Sequence, residues 1–382
     1  MSGMERLKQV TLLLTRACNL RCSYCYVRTY SGGEMTLETA KGIVRDVFAR
    51  DLSGYDGVEF IFLGGEPFCA FPLLRELSEW IWSGTWPKPY FLSAVTNGTL
   101  LRGEIRAWLT EHREKFSLTL SYDGEGQSQN TNRSQSDDMI DLEYFHRLWP
   151  EVPVKMTITE ANVAHMAEDI LRLRNRGIPV NDTFAGGVPV WGEASLAELG
   201  RQLQKLCSYE LERPDTERRS DLLSIDLRGV LRGGAPGPFA CGAGESRVTY
   251  THSGERCACH LLSDLVLDSG ALERLKGGAV ERVPMEGCGS CPLDPICPTC
   301  EGNSFRLYGC FGRREESQCA LFRRQVYYAC RYQAKRILRR GVCGERDRMT
   351  LAAVKKLMGD RRWFPAEVDG DPEKGEGGAS AH

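Results

Sequence analysis

Three cysteines stand close together near the start of the chain, in the segment CNLRCSYCY at residues 18–26. They are Cys18, Cys22 and Cys25. Three thiolates can hold three irons of a cubane [4Fe–4S] cluster and leave its fourth iron open. An open metal position is typical of a site that binds something reactive. The alternative is a zinc site completed by a distant fourth ligand.

A second group of cysteines lies between residues 241 and 343, a stretch that holds eleven of the sixteen cysteines. Its densest part has the spacing C-x2-C-x5-C-x2-C and consists of Cys288, Cys291, Cys297 and Cys300. Cys241 and Cys259 precede this part, and Cys319 follows it. Two closely spaced cysteine pairs indicate a metal centre, and from spacing alone a zinc ribbon is the simplest one.

The bulk composition sets the class of protein. The chain has 382 residues, of which 42% are hydrophobic and 26% charged, as in ordinary globular proteins. Its formal net charge of −2 argues against a dedicated nucleic-acid or membrane-surface binder. The sequence contains no long apolar run and no secretory signal. We therefore expect a cytoplasmic protein, in which cysteines are poor disulfide material but good metal ligands.

The first half of the chain alternates between strand-like and helix-like segments. Short β-branched or aromatic runs occupy residues 9–15, 58–64, 90–96, 116–122, 152–158 and 178–185. Such alternation predicts an α/β fold, a partial (β/α)6 barrel of the TIM type over residues 1–190. The three-cysteine segment follows the first strand, so it lies at the carboxyl end of the barrel strands, where the active sites of such barrels are found.

The alternation ends near residue 190. We expect a linker or helical bridge over 191–235 and a small cysteine-rich iron–sulfur domain over 236–330. A C-terminal helical segment should follow over 331–364. The last residues, 365–382, lack apolar content, which predicts a disordered tail.

The spacing of the first cysteines, with Tyr24 and Tyr26 beside the third, resembles the signature of radical S-adenosylmethionine (SAM) enzymes. Further segments at the ends of successive predicted strands resemble other motifs of that family. They are GGEP (Gly64, Gly65, Glu66, Pro67), TNG with Asn97, SYDG with Ser121 and Asp123, and then Arg133. The resemblance implies that GGEP holds the amino group of SAM, and that Ser121 and Arg133 contact its ribose and carboxylate.

This resemblance also implies a mechanism. The open iron would chelate SAM, and an electron from a reductant such as flavodoxin or ferredoxin would cleave its carbon–sulfur bond. The resulting 5′-deoxyadenosyl radical would abstract hydrogen from a substrate. The first step requires no general base, so no catalytic acid or base is assigned.

The later cysteines resemble the SPASM extension of radical SAM enzymes, which binds two auxiliary [4Fe–4S] clusters and would bring the total to three. The resemblance implies that one auxiliary cluster is held by Cys288, Cys291, Cys297 and Cys319. The other would be held by Cys241, Cys259 and Cys300. Its fourth ligand could be Cys257 or Cys310, or its iron could stay open for a substrate thiolate. The final pair is spaced x2, where x3 is more usual in the family.

Radical SAM enzymes with a SPASM extension mostly modify peptides. The segments LSYDGEGQSQNTNRS and CPTCEGNSFRLYGC are most similar to maturases that install thioether or related cross-links in ribosomally made precursor peptides. A sulfatase-maturase-like, formylglycine-forming enzyme is the alternative. Such enzymes resemble one another in an Asp after the second SPASM cysteine, where His260 stands here.

Two further expectations concern partners and catalysis. No room precedes residue 18 for a leader-binding domain, so we expect a precursor leader to dock on the barrel, on the SPASM domain or on a separate protein. An iron–sulfur electron-transfer scaffold without catalysis is the non-enzyme alternative. A scaffold of that kind would not explain why the GGEP and SYDG segments stand at the ends of successive strands.

Overall fold

The computed structural model describes residues 6–30, 32–187, 190–213, 218–234, 236–278, 280–360 and 363–364. Six strands lie in the first half of the chain, close to the predicted positions. They are β1 (Leu7–Thr15), β2 (Gly57–Gly64), β3 (Tyr90–Thr96), β4 (Phe116–Leu120), β5 (Val154–Ile158) and β6 (Val180–Phe184). The tail predicted over 365–382 lies outside the described residues.

The six strands run parallel in two hydrogen-bonded sets that a single bridge connects. Strands β1 to β4 are hydrogen-bonded in the order β4-β3-β2-β1, and β5 pairs with β6. A bridge between Ser121 and Lys155 joins the end of β4 to β5. Along β1, Val10, Leu12 and Leu14 are fully buried in the main hydrophobic core. The partial (β/α)6 barrel expected from the sequence is confirmed.

Helices cover the outside of this barrel. They are α1 (Leu37–Ala49), α2 (Phe71–Ser83), α3 (Gly103–Glu111), α4 (Gln127–Asn132), α5 (Leu142–Leu148), α6 (Met166–Asn175) and α7 (Glu193–Glu212). Helix α1 begins where a hydroxyl caps it, because the Thr36 side chain accepts the Thr39 N–H at 3.2 Å. Its Ile43 and Val47 are buried against the sheet. Helix α7, inside the expected linker, also buries leucines in the barrel core.

The second half of the chain is built on short elements. Its strands are β7 (Arg247–Tyr250) and β8 (Arg256–Cys257). Its helices are α8 (Gly229–Arg232), α9 (Ser269–Lys276), α10 (Glu301–Tyr308), α11 (Glu316–Arg340) and α12 (Glu345–Met358). Single 3-10 turns occur at Pro67–Ala70, Asp137–Met139, Val163–His165, His260–Leu262, Cys288–Ser290 and Asp294–Ile296. Helix α11 runs without a break across residue 330, where the sequence suggested a boundary.

The cysteine-rich half is joined to the barrel through the sheet itself. Strand β7 pairs in parallel with β1, with Gln9 opposite Arg247 and Leu12 opposite Tyr250. The antiparallel β7–β8 hairpin therefore extends the barrel sheet beyond β1. No helix within the described ranges is long and apolar enough to cross a membrane.

The turn after β2 lies directly against the backbone that follows β1. The Gly65 N–H donates to the Thr15 carbonyl at 2.9 Å, and the Glu66 N–H donates to the Ala17 carbonyl at 2.8 Å. A Cβ atom on Gly65 would lie 2.3 Å from the Ala17 carbonyl oxygen, and one on Gly64 would lie 2.2 Å from that of Thr15. Glycine is required here because two backbones touch.

We predict that Gly65→Ala lowers the free energy of unfolding by about 1–3 kcal/mol, the usual cost of forcing an extra methyl group into a packed site. Urea unfolding of the purified protein measures this. The matched control is Gly42→Ala in α1, where no atom lies within 4 Å of the added Cβ. That change should be neutral or stabilise the helix by up to about 1 kcal/mol. Equal effects of the two substitutions would contradict the backbone contact.

Candidate functional site

The three-cysteine segment forms the loop after β1, at the carboxyl end of the barrel. Cys18, Cys22 and Cys25 are half-buried, and the Cys25 N–H donates to the Cys22 carbonyl at 3.1 Å, which makes a tight turn. Burial raises the pKa of Cys22 to about 11, with the neighbouring Cys25 and Cys18 adding to the rise and Arg133 opposing it. Thiols grouped in this way become thiolates only when a positive centre joins them. The donor set therefore fits an iron–sulfur cluster.

This loop is covered by the cysteine-rich domain. The Arg28 N–H donates to the Leu265 carbonyl at 3.0 Å, and Val27 packs in a hydrophobic cluster with Leu265 and Phe305. The Tyr26 ring lies 5.1 Å from the His260 ring, measured between centroids. The two domains thus enclose the loop from opposite sides.

Glu66, at the end of the GGEP segment, is almost fully buried. Its carboxylate accepts the Thr96 hydroxyl at 2.7 Å and the backbone N–H groups of Asn97 and Phe68 at 2.7 and 3.3 Å. Burial raises the pKa of Glu66 to about 7, although these three donors favour the ionised form. The carboxylate ties the end of β2 to the end of β3. About one of its four lone-pair positions stays free for an ammonium group.

Asp123 and Arg133 form a buried ion pair beside the cysteine loop. The Arg133 Nε lies 3.0 Å from the Asp123 carboxylate, and Arg133 Nη1 lies 4.0 Å from Cys22 Sγ. Asp123 also accepts the Tyr24 hydroxyl at 2.7 Å and the Thr157 N–H at 2.9 Å. These bonds make Asp123 and Tyr24 supports that hold Arg133 in place. A direct contact of either side chain with the cofactor stays a prediction.

The remaining motif residues lie at the same edge of the sheet. Ser121 follows β4 and is buried next to Lys155. The Asn97 amide donates to Asn19 in the cysteine loop at 3.0 Å. Pro67 begins the 3-10 turn after β2. The structure brings these residues together as the topology predicts, and their roles toward SAM remain predictions.

Four of the later cysteines share one cavity of about 640 Å³. These four are Cys288, Cys291, Cys297 and Cys319. The first two lie at the ends of one tight turn, since the Cys291 N–H donates to the Cys288 carbonyl at 3.0 Å. Cys319 comes from α11, far along the chain. This donor set fits a closed four-thiolate cluster, although no three Cys, His, Asp or Glu side chains in the described ranges converge as ligands of a single ion.

The other auxiliary set also lies together. Burial raises the pKa of Cys259 to about 11, and the nearby Cys300 and Cys241 both add to the rise. Cys257, a possible fourth ligand, has a pKa raised to about 12 by burial, and Glu255 and Asp264 add more to that rise than Cys259 does. Cys310 offers its carbonyl to the Ser304 hydroxyl at 2.8 Å. The fourth ligand of this set stays a prediction.

Three cations near these sites were missed by the sequence reasoning. Lys155 lies on β5 beside Ser121, and burial followed by repulsion from Arg133 lowers its pKa. Arg306 of α10 has a buried Nε with no hydrogen-bond partner among the described residues. Arg314 precedes α11 and contacts Cys297. Only Lys155 has a sequence signal, as one charge inside the apolar run VPVKMTI.

Comparison with known sequences identifies the first part of the chain. Residues 12–123 match the family model of the Radical SAM superfamily. A cysteine-type anaerobic sulfatase-maturating enzyme of Clostridium perfringens is 32% identical over 142 residues, which are 34% of this chain and 36% of that protein. A probable GTP 3′,8-cyclase of Methanocella arvoryzae is 31% identical over 118 residues, 30% of this chain and 35% of that one. The chain thus spans well under half the length of these curated relatives. Residues 12–123 thus match the family model that the motifs predicted.

Comparison with solved structures extends the likeness to most of the chain. Native anSMEcpe with bound AdoMet and Cp18Cys peptide has a TM-score of 0.63 at 17% identity, covering 87% of this chain and 98% of that one. Streptococcus suis SuiB has a TM-score of 0.51 at 16% identity, covering 82% of this chain and 77% of that one. At these identities the likeness shows the fold. The predicted combination of a partial barrel and a cysteine-rich domain is confirmed.

We predict that Glu66 makes stability fall as the pH rises. Its folded pKa of about 7 lies above the usual 4.5, so between these values the folded chain holds a proton that the unfolded chain has lost. The free energy of unfolding should fall by up to roughly 3 kcal/mol across this window. The measurement is chemical unfolding at several pH values for wild type and Glu66→Gln, whose difference isolates Glu66.

Glu111→Gln is the control for this prediction. It removes a carboxylate of α3 that is exposed to water, so the pH slope should stay as in the wild type. If Glu66→Gln keeps the wild-type slope as well, Glu66 has the same pKa in the folded and the unfolded chain, and burial does not raise it.

Proposed function

We propose that this chain is a radical SAM peptide maturase that abstracts hydrogen from a ribosomally made precursor peptide and installs a thioether or related cross-link. One observation carries the proposal: the three-cysteine loop and the GGEP, TNG and SYDG segments meet at one edge of the barrel, beneath a cysteine-rich domain. The proposed cofactors are SAM and three [4Fe–4S] clusters.

A cluster on Cys18, Cys22 and Cys25 with bound SAM would supply a 5′-deoxyadenosyl radical. The chain's own residues would position and shield it. Arg133, held by Asp123, offers positive charge for the SAM carboxylate beside Cys22. Glu66 fixes the ends of β2 and β3, where the amino group would bind. The packing of Val27 under Leu265 and Phe305 would keep water from the reactive centre.

A peptide substrate is supported by the relatives. The similar anSMEcpe structure contains a bound peptide, and the Clostridium perfringens relative is a sulfatase-maturating enzyme. That relative favours formylglycine formation as the second candidate. His260 favours cross-linking, because its ring packs on Tyr26 where the maturases would need a carboxylate base. Burial lowers the pKa of His260 to about 4, so it is a neutral imidazole near pH 7.

The partners follow from this chemistry. A reductant such as flavodoxin or ferredoxin would supply electrons, and a separate leader-binding protein could deliver the precursor. We propose no nucleic-acid or membrane partner.

Reconstituted protein should carry about twelve irons per chain and convert SAM to 5′-deoxyadenosine when reduced. Replacing Cys18, Cys22 and Cys25 together by Ala should remove about four irons and abolish SAM cleavage, since the open iron is lost. Iron analysis and chromatography of the products measure both. Stoichiometric zinc with little iron, or no 5′-deoxyadenosine even with a Cys-containing peptide, would contradict the proposal.

The peptide product separates the two candidate functions. Cross-linking removes two hydrogen atoms from a Cys-containing peptide and keeps its sulfur, whereas formylglycine formation replaces the sulfur by oxygen. Mass spectrometry of the peptide encoded next to this gene, or of a sulfatase peptide, distinguishes them. Modification of the sulfatase peptide alone would overturn the cross-linking proposal.

We predict that Arg133→Ala weakens SAM binding by roughly 2–4 kcal/mol, or about 30- to 1000-fold, because a buried charge-assisted contact is lost. Anaerobic calorimetry on cluster-loaded protein measures the affinity. The same substitution leaves Asp123 buried without its cation, so the chain should also be less stable.

The double variant Arg133→Ala with Asp123→Asn separates these effects. It removes the uncompensated carboxylate, so stability should recover while SAM binding stays weak. Recovery of SAM affinity together with stability would show that Arg133 is a purely structural residue.

A further inference from the structure

We propose that Arg314 raises the reduction potential of the cluster held by Cys288, Cys291, Cys297 and Cys319, which makes it a tuning residue. This inference rests on the proposed cofactors. It concerns a residue that none of the sequence motifs includes.

Arg314 is fixed in contact with a predicted ligand. Its Nη1 lies 2.7 Å from Cys297 Sγ, and its Nη2 donates to the Gln318 carbonyl at 3.2 Å. The guanidinium carbon also lies 5.7 Å from the centre of the Phe322 ring. These three contacts hold the planar guanidinium group against the Cys297 sulfur. Within the described residues, Arg314 makes no ion pair with a carboxylate, and it lines the cavity that the four cysteines share.

The rest of the cavity wall is mainly acidic. The carboxylates that line it are those of Glu193, Glu286, Asp294, Glu315 and Glu316. The cations that line it are Arg314 and Arg323, and Arg323 lies 5.4 Å from the Trp363 ring. Reduction adds one electron to a cluster. Negative charges nearby destabilise the reduced cluster and therefore lower its reduction potential. A donor N–H with a positive charge on a ligand sulfur stabilises the reduced form.

The first cysteine loop has a different arrangement. Arg133 approaches Cys22 Sγ only to 4.0 Å, and its Nε is paired with the buried Asp123 at 3.0 Å. Its guanidinium is therefore paired with a carboxylate, whereas that of Arg314 is not. The contrast predicts that the cluster contacted by Arg314 takes up an electron more readily than the one in the loop.

Removing Arg314 tests this without using activity. The background carries Cys18→Ala, Cys22→Ala and Cys25→Ala, so that only auxiliary clusters contribute. Reconstituted protein is titrated anaerobically with dithionite and followed by electron paramagnetic resonance. The signal that disappears in Cys319→Ala identifies the relevant cluster.

We expect the potential of that cluster to fall in three variants. Arg314→Met should lower the potential most, because it removes the positive charge and the N–H donors but keeps an aliphatic side chain packed on Phe322. Arg314→Gln keeps a donor without charge, and Arg314→Lys keeps the charge without the planar fork, so both should give smaller falls. The potential of the other auxiliary cluster should not move.

Arg313→Gln is the matched control. Arg313 is exposed and lies 5.0 Å from the Tyr308 ring, so its loss removes the same charge from the neighbouring position. It should leave the potential unchanged. An unmoved potential in Arg314→Met, or an equal shift in Arg313→Gln, would overturn the role of Arg314.

Iron analysis keeps this inference separate from the proposed function. If the background protein binds no iron, the assignment of these cysteines fails, and the inference falls with it. If iron is bound and only the potential is unmoved, the inference alone falls. If Arg314→Met does not bind this cluster, the same titration of Arg314→Gln and Arg314→Lys shows whether the potential depends on Arg314.

Discussion

The geometry of the candidate site depends above all on the packing of the three-cysteine loop between the barrel and the cysteine-rich domain. The Arg28 N–H bonds the Leu265 carbonyl, and Val27 is buried in the hydrophobic cluster of the second domain. Strand β7 adds to β1, the strand from which the loop emerges. A loop on a free barrel edge would be exposed, and its thiols would meet water and oxidants. Here the two domains together hold the backbone of the three-cysteine loop in place and shield it from solvent.

Burial has an electrostatic consequence at this junction. It raises the pKa of Cys22 and of Cys259, so the thiols resist ionisation until a positive centre joins them. Glu66 is buried among donors that favour its charge, yet its pKa still rises. The Asp123–Arg133 pair brings a cation close to Cys22 while neutralising most of its charge. The site is thus organised around charges that a cluster and SAM would complete.

The same charges bear on what the site can accept. Lys155 lies on β5 beside Ser121, and the other residues of that strand are buried. The His260 ring packs on Tyr26, and burial together with the charge of Lys155 lowers its pKa to about 4, so the ring is neutral near pH 7. A cation and a neutral imidazole beside the cysteine loop suit the polar groups of a peptide segment better than a small apolar substrate. This agrees with the proposed peptide chemistry.

The sequence by itself determined the six barrel strands and the edge of the sheet where the motifs meet. These features depend on local periodicity, on short spacings and on the rule that parallel strands end together. It also placed Gly64 and Gly65, but not their reason, which is a backbone contact with residues near position 15. Only the tertiary structure decided the pairing of β7 with β1, the support of Arg133 by Asp123 and the contact of Arg314 with Cys297. The first joins residues that are distant in sequence, and the other two depend on how loops fold back onto nearby parts of the chain. Such contacts are fixed by packing and charge in three dimensions, which leave no periodic trace along the chain.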